Sequence, residues 1–170
     1  MNNLEKFRRV KAFVFDVDGV LTDHSIFVFE NGKIVRKLNN KDLIALRKAV
    51  ENKYKIAIIS GGSLSELTPI FKEIGITDIY EKTRDKKAAY DEFKTIYGID
   101  NEQVLYMGDD LPDYPVMRIV GLPVCPKNAA PEIREITRYI SPLGGGEGCV
   151  RDVIEKVLRL KKVWLPKESK

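Results

Sequence analysis

The sequence contains few of the residues that build zinc sites and disulfide frameworks. Two cysteines, Cys125 and Cys149, and one histidine, His24, occur among 170 residues. The cysteines form no Cys-x-x-Cys pair and have no cluster of histidines nearby, which argues against a structural zinc site and against a disulfide-stapled fold. Reduced thiols are typical of cytosolic proteins, and we therefore expect a cytoplasmic location.

The sequence also lacks long apolar runs and a strong bias in charge. No stretch approaches the roughly 18 apolar residues of a membrane-spanning helix, and the first residues lack the apolar segment of a signal peptide. The 29 basic and 25 acidic residues are scattered along the chain and give a net charge of +4. A nucleic-acid-binding protein would concentrate its basic residues on one element. We therefore expect neither a membrane nor a nucleic acid as a partner.

The remaining composition is that of an ordinary globular protein of one domain. We expect a core over about residues 8–160 and a C-terminal tail over about 161–170. Short apolar segments rich in β-formers alternate with amphipathic segments, which predicts an α/β fold with a doubly wound, mostly parallel sheet covered by helices on both faces. Strands are predicted over 10–15, 55–60, 78–81, 103–107 and, last, 120–124. Helices are predicted over 40–51, 84–97, 111–119 and 129–135. A further helix follows Gly61-Gly62 and runs through about residue 73, and the last one follows the glycine-rich loop and runs to about residue 160.

A β-hairpin is predicted over about residues 25–38. Two β-rich runs flank the dipeptide Asn31-Gly32, which is the usual signal of a two-residue type I′ turn. The run "SIFVF" is apolar enough to form an interface with another subunit. The alternative is a hairpin that merely extends its own sheet.

Acidic residues follow two of the predicted strands directly. Asp16 and Asp18 come after the first strand, and Asp109, Asp110 and Asp113 come after the strand that ends at 107. In a parallel sheet, ligands bind at the carboxyl ends of the strands. Neighbouring carboxylates repel each other unless a cation lies between them. Oxygen ligands without histidine or cysteine suit Mg²⁺, which prefers carboxylates, water and a substrate phosphate.

Two other interpretations of these acids fit the sequence less well. A single aspartate at a strand-to-helix turn is often only a helix cap, but two clusters at equivalent places favour a site. An EF-hand loop beginning at Asp16 would need glycine where Leu21 stands and a glutamate at its twelfth position, and neither is present.

The ordered motifs resemble those of the haloacid dehalogenase superfamily of phosphohydrolases. The stretch "DVDGVLT" from Asp16 is similar to the first motif, and "GDDLPD" from Gly108 is similar to the fourth. Ser60 after "KIAII" matches the second motif, and Lys86 in "TRDKKAAY" matches the third. More narrowly, about residues 8–160 resemble the small phosphatases of 3-deoxy-D-manno-octulosonate 8-phosphate (KDO 8-phosphate) and of related nonulosonate 9-phosphates.

The resemblance implies a set of site residues. Asp16 would be the nucleophile and Asp18 the general acid and base, while Mg²⁺ would be held by Asp16, the backbone carbonyl of Asp18 and Asp109. Ser60, Gly61 and Lys86 would bind the phosphoryl group. The remaining assignments are a supporting role for Asp113 and Asp110 and a substrate contact for Asp42 and Arg151.

The resemblance also implies an assembly. Only about twenty residues separate Gly19 from the predicted helix at 40, which is room for a hairpin and not for a cap domain. The related phosphatases are tetramers in which hairpins and neighbouring subunits cover each other's sites, so we expect a homotetramer. The glycine-rich loop "GGGEG" at 144–148 either folds over the mouth of the site or simply starts the last helix.

Three functions follow from the resemblance. The first is a Mg²⁺-dependent phosphatase of KDO 8-phosphate or a similar keto-sugar acid phosphate. The second is a phosphatase of another small sugar phosphate, because Gly62 and Ile70 stand where the relatives tend to carry arginines that bind the sugar acid. The third is a non-catalytic phosphatase-like interaction domain, which would have no use for the clustered acids.

Overall fold

A six-stranded parallel sheet forms the centre of the protein. The computed structural model describes residues 2–165, so residues 166–170 of the predicted tail lie outside the described residues. The strand order is β5-β4-β1-β6-β7-β8, and a separate antiparallel hairpin is formed by β2 and β3. The strands are β1 (Ala12–Phe15), β2 (Ile26–Val28), β3 (Ile34–Arg36), β4 (Lys55–Ile59), β5 (Asp78–Tyr80), β6 (Val104–Met107), β7 (Leu122–Cys125) and β8 (Tyr139–Ile140). The helices are α1 (Asn3–Arg9), α2 (Asn40–Glu51), α3 (Thr68–Ile74), α4 (Lys86–Tyr97), α5 (Tyr114–Met117), α6 (Pro131–Ile136) and α7 (Cys149–Leu160).

The sheet is buried on both faces, as the continuous apolar strands predict. In β1, Phe13 and Phe15 point into the cluster beneath α1, α2, α3 and α7. Ala12 and Val14 point into the second cluster, beneath α4, α5 and α6. The predicted doubly wound α/β sheet with helices on both faces is therefore confirmed. No helix within residues 2–165 is long and apolar enough to cross a membrane.

Two elements were missed, β8 and α1, whereas the strand predicted over 120–124 is present as β7 but is not the last one. The sheet ends at β8, only two residues long, and not at the segment 120–124. Helix α1 was also missed because it buries a single apolar side chain, Phe7, and so has little amphipathic pattern. The available signal was its capping box, in which Asn2 accepts from the backbone of Glu5 and Glu5 bonds back to Asn2.

The hairpin exists, but its turn is not the predicted type I′ turn. A type I′ turn needs positive φ at both central residues. Gly32 has a φ of +78°, whereas Asn31 is not among the residues of positive φ. The amide of Gly32 donates to the carbonyl oxygen of Phe29 at 2.8 Å, so the glycine ends a three-residue loop. The β-rich segments on either side predicted the hairpin correctly. The type of turn depends on the backbone conformation of the loop, which the dipeptide Asn31-Gly32 did not determine.

The glycine-rich loop before α7 packs against the turn that follows β1. The amide of Gly146 donates to the carbonyl oxygen of Val20 at 2.9 Å, and the side-chain amide of Asn39 donates to the carbonyl oxygen of Gly146 at 3.2 Å. A Cβ atom at Gly145 would lie 2.0 Å from the carbonyl oxygen of Gly19. The loop therefore supports the turn that carries Asp18, at the carboxyl end of β1.

Gly145→Ala is expected to destabilise the protein by about 1–3 kcal/mol, because the added methyl group has to displace the backbone at Gly19. Gly61→Ala is the control, since a Cβ atom there would meet nothing closer than the carbonyl oxygen of Thr83 at 3.9 Å. Urea unfolding of both variants measures the difference. Equal stability of the two variants would contradict the packing of the loop on this turn.

Candidate functional site

Two neighbouring strands bring the acidic residues to one edge of the sheet. Strands β1 and β6 are parallel and pair in register, with Phe15 opposite Met107. Asp16 follows β1 directly, and its amide donates to the carbonyl oxygen of Met107 at 3.1 Å. Asp109 follows β6 after one glycine. The predicted convergence of the two acidic clusters is therefore present in the structure.

A buried lysine lies between two of the carboxylates. Lys86 is the first residue of α4, and its Nζ lies 2.8 Å from Oδ1 of Asp16 and 2.7 Å from Oδ1 of Asp113. Asp113 also accepts from the hydroxyl of Tyr106 at 2.7 Å and from the amide of Asp109 at 3.1 Å. Asp113 thus contacts Lys86 directly, which fits the supporting role predicted for it. All these side chains except that of Lys86 stand on or beside β1 and β6.

The site carries an excess of negative charge. Asp16, Asp109 and Asp113 each place a carboxylate oxygen within 4.8 Å of the others, and Lys86 supplies a positive charge among them. Burial and then Asp113 raise the pKa of Asp16 well above its ordinary value, although Lys86 acts in the opposite direction. Burial also raises the pKa of Asp109. The ionised forms need a further cation.

The unpaired atoms of the site fit a divalent metal ion. Oδ1 of Asp109 is buried and has no hydrogen-bond partner among residues 2–165. An orphaned carboxylate oxygen is costly in a protein interior unless a donor or a cation satisfies it. Together with Asp16 it forms an all-oxygen donor set, which suits Mg²⁺.

Asp18 lies on the turn Val17–Leu21 and is more exposed than the three buried acids of the cluster. Its side chain is 35% exposed, compared with 9% for Asp16. The turn depends on Gly19, which has a φ of +87°. A Cβ atom at Gly19 would lie 2.1 Å from Oδ2 of Asp109, so no larger residue leaves room for that carboxylate. Asp18 is therefore accessible to a ligand, whereas Asp16 lies deeper.

The loop after β4 reaches the same edge, because β4 is the other neighbour of β1. Ser60 is buried, and its hydroxyl oxygen accepts from the amide of Gly62 at 3.1 Å. The surroundings of Gly61 are open, with the nearest atom to a Cβ built there at 3.9 Å. This loop is thus placed to offer a hydroxyl group and backbone amides at the carboxyl edge.

Asp110 stands apart from the cluster of carboxylates. Its side chain accepts from the amide of Leu111 at 2.8 Å and caps the short helical turn Leu111–Asp113. This contact matches the capping role that an aspartate at such a turn often has. The supporting role predicted for Asp110 is therefore a local one in this structure.

Asp42 and Arg151, predicted to contact the substrate, meet at the start of α7. The amide of Arg151 donates to Oδ1 of Asp42 at 2.7 Å, and Asp42 is fully buried. The guanidinium of Arg151 pairs with Glu155 at 3.2 Å and lies 5.2 Å from the centre of the Trp164 ring. Oδ1 of Asp42 thus stabilises the start of α7, while the guanidinium of Arg151 lies further along this helix. Oδ2 of Asp42 is buried and has no hydrogen-bond partner among residues 2–165, and the substrate role of both residues stays a prediction.

Two further side chains reach the site and were not assigned to it from the sequence. Nε2 of His24 lies 2.8 Å from Oδ2 of Asp109. Arg36, at the end of the hairpin, lies with its Nε 2.8 Å from Oδ1 of Asp18. From the sequence alone, His24 belongs to none of the four motifs and indicates a surface or substrate-contacting residue, and Arg36 also lies outside the motifs. The hairpin brings Arg36 to the site, the segment just before the hairpin brings His24, and no local motif marks either residue.

Comparison with known proteins identifies the family. The haloacid dehalogenase-like hydrolase family matches residues 75–148. The 3-deoxy-D-manno-octulosonate 8-phosphate phosphatase of Yersinia pestis is 33% identical over 155 residues, which cover 91% of this chain and 83% of that protein. The chain belongs to the KDO 8-phosphate phosphatase family of haloacid dehalogenase-like hydrolases. The resemblance seen in the sequence motifs is confirmed.

Solved structures of KDO 8-phosphate phosphatases share the fold. The one from Yersinia pestis superposes with a TM-score of 0.92 at 32% identity and covers 95% of this chain and 87% of its own. The one from Moraxella catarrhalis, in complex with magnesium, phosphate and KDO, gives a TM-score of 0.91 at 30% identity and covers 95% of this chain and 92% of its own.

The stability of the protein is expected to fall between pH 4 and pH 7 through Asp42. Burial raises the pKa of Asp42 to about 6, despite hydrogen bonds from the amides of Arg151 and Gly148. The unfolded chain ionises this carboxyl near its ordinary value of 3.8, so rising pH favours the unfolded state until the folded carboxyl also ionises. The cost is on the order of 2–3 kcal/mol.

Asp42→Asn keeps an acceptor for the amide of Arg151 and removes the titration. Chemical unfolding at a series of pH values then shows a smaller loss of unfolding free energy between pH 4 and pH 7 in the variant than in the wild type. Parallel pH profiles of the two proteins would contradict the assignment of a buried, titrating cap.

Proposed function

We propose that the protein is a Mg²⁺-dependent phosphomonoester hydrolase that acts on KDO 8-phosphate through an aspartyl-phosphate intermediate. The observation that carries the proposal is the buried group of Asp16, Lys86 and Asp113 beside the orphaned oxygen of Asp109. Family membership adds the class of reaction, since the matched relatives are named as phosphatases of this sugar acid phosphate.

The first step transfers the phosphoryl group to the protein. A carboxylate oxygen of Asp16 attacks phosphorus, and the bond from phosphorus to the sugar oxygen breaks. Asp18, two residues away and accessible from the same edge, gives its proton to the departing sugar oxygen. The products of this step are the free sugar acid and phosphorylated Asp16.

The second step releases phosphate. The now anionic Asp18 takes a proton from a water molecule, whose oxygen attacks phosphorus, and the bond to Asp16 breaks. Phosphate leaves, and both side chains return to their starting protonation. The mechanism needs one carboxylate, Asp16, to form the covalent bond and a second, Asp18, to transfer the proton. This requirement explains why two acids stand one residue apart in the sequence.

The phosphoryl oxygens are held by Ser60, Gly61 and Lys86. An ammonium group has three N–H donors, and two of those of Lys86 are directed to Asp16 and Asp113. The third donor remains for a phosphoryl oxygen. The pKa of Lys86 is raised, because Asp113 and Asp16 outweigh the opposing effect of burial, so the lysine carries its charge throughout the working pH range.

The residues that would hold Mg²⁺ are Asp16, Asp109 and the backbone carbonyl of Asp18. Bound there, the ion would offset the negative charge of the carboxylates and of the incoming phosphate group. Its removal by a chelator is therefore expected to abolish turnover.

The substrate assignment rests on the family, and one alternative keeps the same chemistry. Gly62 and Ile70 lack the positive charge that the resemblance led us to expect for pairing the sugar carboxylate. A different small sugar phosphate is therefore the second candidate. A non-catalytic interaction domain is disfavoured, because buried unsatisfied carboxylates destabilise a protein and have no purpose in a scaffold.

We also propose that the protein is a cytoplasmic homotetramer that assembles through its hairpin. Five apolar side chains of the hairpin are exposed in the isolated chain: Ile26, Phe27, Val28, Phe29 and Ile34. A contiguous apolar surface of this kind is typical of a contact with another protein surface. A covered hairpin would also shield a site that has no cap domain.

Asp16→Asn is expected to lower turnover of KDO 8-phosphate by on the order of a thousandfold or more, because it removes the nucleophile. Phosphate release is measured with Mg²⁺ and with EDTA on KDO 8-phosphate, a nonulosonate 9-phosphate and mannose 6-phosphate. Asp91→Asn is the control, since Asp91 is an exposed carboxylate on α4 that pairs with Lys87.

The proposed substrate class requires Mg²⁺-dependent preference for the two sugar acid phosphates. Equal, weak hydrolysis of all three compounds would reject sugar acid phosphates as the substrate class but would not contradict the proposed phosphoryl-transfer mechanism. Activity of Asp16→Asn at the level of Asp91→Asn would reject the mechanism itself.

Phe27→Ser is expected to reduce the assembly to smaller species, because Phe27 is 57% exposed on the apolar hairpin. Ile96→Ser is the matched control, since Ile96 on α4 is also 57% exposed. Sedimentation velocity of the wild type and both variants gives the masses. A monomeric wild type, or equal masses of the two variants, would reject assembly through the hairpin.

A further inference from the structure

Arg36 joins the hairpin to Asp18. It is the last residue of β3, and its Nε donates to Oδ1 of Asp18 at 2.8 Å, while Nη2 lies 3.4 Å from Oδ2 of the same carboxylate. Nη1 donates to the carbonyl oxygen of Ser63 at 3.1 Å and also pairs with Glu66. One guanidinium group thus holds both oxygens of Asp18 and the loop after β4.

The arginine is unusually buried for a hairpin residue. Its side chain is 11% exposed, whereas the apolar residues of the same hairpin are mostly exposed. Burial opposes its positive charge, but Asp18 and Glu66 raise the pKa of Arg36, so it stays charged. Ordering and desolvating such a side chain is costly unless its partners fix it. The contacts with Asp18, Ser63 and Glu66 provide that fixation.

Gly62 makes room for this arrangement. A Cβ atom at position 62 would lie 3.1 Å from Nη2 of Arg36 and 3.7 Å from Oδ2 of Asp18. A distance near 3 Å is below ordinary van der Waals contact for carbon. Absence of a side chain at Gly62 therefore lets the guanidinium of Arg36 occupy the space next to Asp18.

We propose that Arg36 is a positioning residue that orients Asp18 for proton transfer. The inference rests on the proposed function, in which Asp18 serves as general acid and then as general base. An exposed aspartate samples several rotamers, and each proton transfer requires one of them. The planar guanidinium fixes the carboxylate plane through two contacts, which a point charge does not do.

The geometry favours positioning over recognition of the substrate carboxylate. A guanidinium group has five N–H donors, and those of Arg36 already make four contacts, with Asp18, Ser63 and Glu66. Few donors remain for a bidentate grip on a further carboxylate. Two neighbouring carboxylates would also repel the sugar acid at this point.

Leaving groups of different basicity distinguish the possible roles of Arg36. A sugar alkoxide is a strong base and needs a proton to depart, whereas nitrophenolate is a weak base and departs without one. The value of kcat/KM covers the steps up to the departure of the leaving group. A residue that orients the general acid therefore affects kcat/KM for alkyl phosphates and leaves kcat/KM for p-nitrophenyl phosphate unchanged.

The experiment compares Arg36→Ala, Arg36→Lys and Lys33→Ala on three substrates. These are KDO 8-phosphate, mannose 6-phosphate, which lacks a carboxylate, and p-nitrophenyl phosphate. Lys33→Ala is the matched control, because it removes one positive charge from an exposed position of the same hairpin. Arg36→Ala is expected to lower kcat/KM about tenfold to a hundredfold for both sugar phosphates and less than twofold for the aryl phosphate. Arg36→Lys restores little, because lysine keeps the charge without the planar fork.

Other patterns overturn the inference. A loss confined to KDO 8-phosphate would show that Arg36 binds the sugar carboxylate. An equal loss on all three substrates would show a structural role only. Arg36→Ala/Glu66→Ala removes both charges of the pair with Glu66 and so guards against misfolding from an unpaired buried glutamate. The double variant is expected to show the same dependence of kcat/KM on the leaving group. If the double variant does not show this dependence, the inference is also overturned.

Asp18→Asn separates this inference from the proposed function. In an otherwise unchanged protein it is expected to lower kcat/KM for the sugar phosphates far more than for p-nitrophenyl phosphate. An equal loss on both classes would reject Asp18 as the general acid. If Asp18→Asn shows the dependence on the leaving group and Arg36→Ala does not, only the role of Arg36 is rejected.

Discussion

Repulsion between carboxylates buried at one edge of the sheet is the constraint on which the site depends. Asp16, Asp109 and Asp113 come within 4.8 Å of one another because β1 and β6 pair in parallel register. Without neighbouring cations, the three carboxylates would bind protons, and Asp16, the proposed nucleophile, would lose its negative charge. Lys86 offsets part of this charge from the start of α4. The remaining negative charge favours a bound cation, which an anionic phosphate group would also need in order to approach.

The backbone packs closely around these carboxylates, because they are crowded together at one edge of the sheet. Gly19 lets the turn after β1 approach the carboxylate of Asp109, and Gly145 lets the loop before α7 approach that turn. Each contact requires the absence of a side chain, and the two glycines stand more than a hundred residues apart in the sequence. The last helix is thereby tied to the first strand through the backbone that carries Asp18. Residues far from Asp18 in the sequence thus set the position of the turn that carries it.

The sequence predicted those features that depend on local pattern. Strand ends followed by acids placed Asp16 and Asp109 correctly, because an apolar strand and a polar loop differ sharply in composition. The sequence could not reveal that Arg36 meets Asp18 or that Asp42 caps α7, since both contacts depend on how distant elements pack. Short elements were missed for a related reason, because β8 has only two residues and buries too few side chains to show a periodic pattern. The residues that contact the predicted catalytic acids were therefore harder to find than those acids themselves.

The hairpin takes part in two surfaces, the apolar surface proposed for contact with another subunit and the surface of the site. Its apolar residues face outward, while Arg36 at its end faces the site. An isolated two-stranded hairpin is only marginally stable in water, so its position depends on what packs against it. Contact with a neighbouring subunit would fix the strands, and fixed strands would hold the guanidinium against Asp18. Under the proposed assembly, one short segment would link subunit contact to proton transfer. A site that has no cap domain within residues 2–165 would then gain from neighbouring subunits both a shield and a correctly oriented acid.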